Sequence, residues 1–107
     1  CFSNDYGYEN WLKAAVRYYV QPKDLVILIS VSGESQNLIN AASFCRKKKI
    51  KLITITGAKK NNPLSKKGVI NYWINSKAYN IVETLQMLIL ASIVDRIIGK
   101  SEYSSKL

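Results

Sequence analysis

Apolar positions recur with two different periods along this chain, and each change of period marks a new element. Tyr8, Leu12, Ala15, Val16 and Tyr19 return at three- and four-residue steps. That spacing predicts a helix from Asp5 to about Tyr19, with Asn4 or Asp5 as its cap and Pro22 as its stop. Leu25-Val26-Ile27-Leu28-Ile29 is a continuous apolar run, as expected of a strand covered on both faces. The helical period returns from Gln36 through Leu38, Ile39, Ala41, Ala42 and Cys45. Ile50 to Thr56 reads as a second β-branched strand ended by Gly57. Lys59 to Gly68 is a polar connection in which Pro63 opens a short helical turn. Val69 to Ile74 is a third strand, and its Tyr72 and Trp73 point to a sheet edge or an interface. Asn80 to about Ile98 is the last helix; its apolar positions cover most of the circumference, so burial on nearly all sides is expected.

Strands alternating with helices imply βαβ crossovers and a parallel sheet in an α/β three-layer sandwich. Three strands make a small sheet for that architecture. The chain also opens at Cys1 in mid-pattern. Both features lead us to expect a partial or processed chain, lacking N-terminal helices and a first strand. A last helix apolar all round further predicts a homo-oligomer, a dimer or a tetramer.

A length of 107 residues fits one domain, and with 48% hydrophobic and 21% charged residues the chain is globular rather than disordered. The two cysteines, Cys1 and Cys45, form no CxxC pair, and histidine is absent. Neither a disulfide framework nor a Cys/His zinc site is therefore expected, and Cys45 reads as a small buried hydrophobe. No basic-then-apolar leader opens the sequence. The stretch from Leu85 to Ile98 is too short for a membrane span and contains Asp95 and Arg96. A cytoplasmic location, with no membrane partner, is the expectation. The net charge is +9, concentrated in Arg46-Lys47-Lys48-Lys49 with Lys51. Such a run attracts nucleic acid or steers an anionic ligand, but it equally suits the negative end of a helix dipole. No aromatic residues interleave it, so nucleic acid is not expected as a partner.

The candidate chemistry lies in Ser30-Val31-Ser32-Gly33-Glu34-Ser35, between a buried strand and a helix. Open α/β sheets bind ligands outside the carboxyl ends of their strands. A helix starting at Gln36 points N–H groups and partial positive charge at that place. Gly33 permits a tight turn, and three hydroxyls add donors. A phosphate fits this donor set. Spacing alone leaves a second reading open, in which Ser35 caps the helix and the other serines form an ordinary turn.

Ser32-Gly33-Glu34-Ser35 with Asn37, Ile53-Thr54-Ile55-Thr56-Gly57 and Asn62-Pro63-Leu64 together resemble the sugar isomerase (SIS) domain. Ser3-Asn4-Asp5-Tyr6-Gly7-Tyr8 is similar to the segment before the phosphate loop in the phosphoheptose isomerase branch, which acts on sedoheptulose 7-phosphate. The resemblance runs from about Ser3 to Gly99. It implies a flavodoxin- or Rossmann-like SIS domain over residues 1–99, followed by a polar tail over 100–107. It implies a phosphorylated sugar as ligand, with Ser30, Ser32, Gly33 and Ser35 on the phosphate and Asn4 and Asp5 near the sugar hydroxyls. Asp5 as a helix cap stays open. Val31 departs from the family pattern, which often has Thr there.

The resemblance also implies a last-helix motif of one Gln and two His, serving a zinc site and proton transfer. Those positions fall at Val82, Leu85 and Leu90, and only the motif's Glu is kept, as Glu83. Leucine and valine neither move a proton nor stabilise an enediolate. Glu83 is thus the single candidate base, against a structural role in the first turn of the last helix, beside its dipole. No cofactor is expected, and zinc only if its ligands come from outside this chain. The resemblance leaves two functions: an aldose–ketose isomerase of a sugar phosphate in surface-polysaccharide synthesis, or a non-catalytic phosphosugar sensor.

Overall fold

The structure, a computed structural model, describes residues 2–100. Its elements are α1 (Phe2–Tyr6), α2 (Trp11–Tyr19), β1 (Leu25–Ser30), α3 (Gln36–Lys47), β2 (Lys51–Thr56), a 3-10 turn (Leu64–Lys66), β3 (Ile70–Trp73) and α4 (Tyr79–Ile98). The three strands are parallel in the order β1-β2-β3. Ser30 stands opposite Thr56, and Thr56 opposite Trp73. The strands therefore end level with one another, and the loops that follow them gather along one edge of the sheet.

Strand side chains alternate between the two faces. On one face Val26, Leu28 and Leu52 join Val16 of α2 and Ala41, Ala42 and Cys45 of α3 in the main core, with Leu64 closing it. The small residues of α3 let that helix lie close to the sheet. On the other face Ile55 is fully buried, and α4 packs against β2 with Val82 inward. The chain is thus an α/β sandwich of three layers, with β3 at an edge of the sheet as its aromatic residues foretell.

Three expectations are corrected. The first helix is broken in two at Gly7, whose φ of +76° a continuing helix does not allow. Asn4 and Asp5 consequently lie inside α1 instead of capping a longer helix, and Tyr8 and Tyr19 are exposed. Glu83 lies beyond the first turn of α4, which carries no acidic residue. Finally, α4 buries only Val82 and Gln86 within this chain. Leu85, Met87, Leu88, Val94 and Ile97 remain exposed, because one three-stranded sheet covers one side of a twenty-residue helix. A groove of about 770 Å³ runs between α4 and β3, lined among others by Tyr72, Trp73, Leu85, Leu88 and Ile97. The expected polar tail, apart from Lys100, lies outside the described residues, as does Cys1. No helix among the described residues is long and apolar enough to cross a membrane.

Candidate functional site

Beyond Ser30 the chain leaves the sheet and turns back within a few residues. The buried Ser30 hydroxyl accepts the Gly33 N–H at 2.9 Å, and the Ser32 hydroxyl accepts the Glu34 N–H at 3.2 Å. Each hydroxyl keeps its own proton as a further donor. Gly33 has φ +69°, the left-handed conformation that lets the turn close. Ser35 is the N-cap of α3, yet its side chain makes no capping hydrogen bond. The capping role open in the sequence is therefore not adopted, and Ser35 presents an exposed hydroxyl at the mouth of the helix. Ser30, Ser32, Gly33 and Ser35 thus lie in one short turn, before a twelve-residue helix whose N-terminal N–H groups and dipole favour an anion.

The loop after β2 clasps this turn. Gly57 donates its N–H to the Val31 carbonyl at 2.9 Å, and Leu64 donates to the Gly33 carbonyl at 3.1 Å. Asn62 is almost wholly buried between the two segments. Its amide donates to the Thr56 hydroxyl at 3.0 Å and to the Lys59 carbonyl at 2.8 Å. Its Oδ1 accepts the Ser65 N–H at 2.8 Å. Asn62 therefore fixes the second loop against Gly33 and so holds the shape of the first. At the surface Lys59 reaches Glu34 at 3.4 Å, both side chains being largely exposed.

Helix α4 supports the site from the far face of the sheet. The Gln86 side chain donates to the carbonyls of Ser30 at 3.2 Å and Ile55 at 3.3 Å, tying the ends of β1 and β2 together. Val82 packs onto Gly57, where an added Cβ would meet its methyl groups at 2.7 and 2.8 Å. Glu83 and Leu85 are exposed, and Leu90 is half-buried. Asn4 and Asp5 are exposed on α1, which packs against α2. Among the described residues no three His, Cys, Asp or Glu side chains form a group able to hold a metal ion.

Gln86 and Lys59 belong to no motif in the sequence, and Asn62 stands there only as part of one. A lone Gln amid the apolar positions of α4 was the available signal for the first. The pairing of Lys59 with Glu34 and the packing of Asn62 on Gly33 are set by how the loops meet, which no local spacing encodes.

The comparisons with known proteins bear on this geometry. The profile of the SIS domain family matches residues 4–94. A phosphoheptose isomerase of Proteus mirabilis is 44% identical over 57 residues, which is 53% of this chain and 30% of that protein. Phosphoheptose isomerase 2 of Campylobacter jejuni is 44% identical over 55 residues, 51% of this chain and 27% of that protein. The structure of a phosphoheptose isomerase from Francisella tularensis superposes with a TM-score of 0.82 at 23% identity, covering 92% of this chain and 52% of that one. One from Neisseria gonorrhoeae gives 0.79 at 22% identity, covering 90% and 54%. At that identity the two structures establish the fold. The chain spans about a third of the curated relatives' length and about half that of the two solved chains.

Proposed function

This chain belongs to the SIS domain family, and from that premise we propose that it binds the phosphate of a sugar phosphate at Ser30–Ser35, within a phosphoheptose isomerase-like protein. The observation that carries the reading is the clasped turn at the start of α3. Serine hydroxyls, the N–H groups of the helix start and a left-handed glycine converge there, at the carboxyl ends of the strands. Ser30, Ser32 and Ser35 hold the phosphate oxygens, and the left-handed Gly33 closes the turn around them. Asn4 and Asp5, exposed on α1, are the candidates for the sugar hydroxyls.

The reaction of such a protein is the aldose–ketose isomerisation of a heptose phosphate. It moves a proton between neighbouring carbons and needs a base in reach. Glu83 is the base candidate on this chain. The residues of this chain do not by themselves fit a zinc ion, since histidine is absent and no donors converge among the described residues. A second reading, phosphosugar sensing without turnover, is favoured by one observation. Val82 is sealed against Gly57 where the family motif has a polar residue, so this part of the site offers packing in place of chemistry. We further read the exposed apolar side of α4 as a surface for a second copy of the chain.

Sedoheptulose 7-phosphate given to the full-length protein, with zinc and again with EDTA, separates the readings by NMR. Turnover supports the isomerase. Binding lost in Ser32→Ala, with no turnover, supports the sensor. No binding at all rejects both.

A further inference from the structure

An anion-binding turn that contains a carboxylate has an electrostatic problem. Glu34 is part of the Ser30–Ser35 turn, and its N–H is held by Ser32. A phosphate bound there carries charge of the same sign as Glu34, and like charges at such range repel. Lys59 Nζ lies 3.4 Å from Glu34 Oε1.

We propose that Lys59 is a further phosphate-binding residue, held ready by Glu34 and transferred to the phosphate when the sugar binds. The proposal rests on phosphate binding at Ser30–Ser35 and names how that site takes up its charge. Three observations carry it. First, the Lys59 backbone is fixed beside the turn: its carbonyl accepts the Asn62 amide at 2.8 Å, and Asn62 abuts Gly33. The lysine stem therefore starts at the edge of the site whatever its ammonium touches. Second, the pair is 70% and 52% exposed, so water screens it and its exchange for another anion costs little. A phosphate dianion at a helix N-terminus is a stronger partner than one exposed carboxylate. Third, the neighbouring Lys60 is directed elsewhere, with its Nζ 5.6 Å from the centre of the Trp73 ring. The two adjacent lysines thus have different surroundings, and only Lys59 faces the turn.

Inorganic phosphate titrated into the full-length protein at low salt tests this. Lys59→Gln weakens binding about fivefold to tenfold, the size expected for loss of one charge-assisted contact. Glu34→Gln tightens it about threefold by removing the like charge. Lys60→Gln stays within about twofold of wild type, since it alters only long-range charge, which added salt screens. Wild-type affinity in Lys59→Gln, or an equal loss in Lys60→Gln, overturns the proposal while leaving phosphate binding at the turn intact. A wild-type protein that binds no phosphate overturns the phosphate reading itself, and this proposal with it.

Discussion

A Cβ placed on Gly33 would overlap the side-chain amide of Asn62, so these two residues are spatially exclusive: the turn closes only because one of them has no side chain. Asn62 is almost wholly buried and is held by bonds to Thr56, Lys59 and Ser65 of its own loop, so it has nowhere to withdraw. Gly33 also needs its φ of +69°. Gly33→Ala is therefore expected to lose about 2–4 kcal/mol, from left-handed strain plus overpacking. Urea unfolding measures the loss, and phosphate titration should show weakened binding alongside it. Adding Asn62→Ala removes the overlap but not the backbone strain. The double variant should consequently lose less than the sum of the two single losses.

The end of α3 makes the opposite prediction. Ile50 donates its N–H to the Cys45 carbonyl, and Lys49 donates to that of Arg46, with Lys49 at φ +58°. This pair of bonds is a Schellman closure, whose left-handed position glycine fills without strain. Lys49→Gly should raise stability by about 0.5–1 kcal/mol, since an L-residue pays for that conformation. An unchanged or lowered urea midpoint would count against it.

Much of the architecture is legible in the sequence because the signals are local. The runs at Leu25–Ile29 and Ile50–Thr56 and the return of helical spacing at Gln36 each lie within one element, and each becomes that element. Gly7 was legible only as a residue type: the apolar spacing runs through it, and its positive φ shows only once the chain is folded. The turn's serines are legible because they lie within six residues of one another. Gln86 bonds to Ser30, 56 positions away, and the packing of Asn62 against Gly33 likewise joins two separate segments; the tertiary packing that brings those together has no short-range spacing.

Leu88 is 56% exposed and Ile97 79% exposed on the same helix, and both line the groove beside β3. Apolar side chains gathered in this way mark an interaction surface. Leu88→Glu should leave the fold intact, because the residue is not in the core, and should lower the mass in solution to that of one chain. Light scattering on the full-length protein checks this. A wild type that is already monomeric at micromolar concentration refutes the self-association reading.

Cys45 is fully buried in the main core, and burial pushes its thiol above the ordinary value of 9.0, opposed in part by a hydrogen bond with its own backbone. The sign follows from linkage: the unfolded chain loses this proton more readily than the folded one. The thiol's contribution to stability is complete below pH 9.0 and is lost as pH rises above that value toward the raised folded one. Cys45→Ala should flatten that part of the stability profile relative to wild type. Iodoacetamide should modify Cys45 in urea and spare it in the folded protein, as peptide mass mapping would show.

The position of Val82 allows the catalytic and sensing readings to be separated by stability as well as by turnover. The resemblance places a Gln of the family motif at Val82 and a His at Leu85. Val82 is fully buried and its methyl groups press on Gly57, whereas Leu85 is 38% exposed. A Gln at 82 must fit a longer chain into that space and bury an amide whose surroundings were shaped for methyl groups. It should lose about 1–3 kcal/mol through overpacking and desolvation. A His at 85 can turn its ring to water, and a change at such a site stays within about 1 kcal/mol. Val82→Gln should therefore lower the melting temperature by several degrees, while Leu85→His leaves it near wild type. That outcome means the packing around Val82 has closed over the place of the motif's Gln, and turnover, if present, uses other groups. Equal stability of the two variants would mean that the space beside Gly57 still admits a polar side chain, and the isomerase reading would gain at the expense of the sensor.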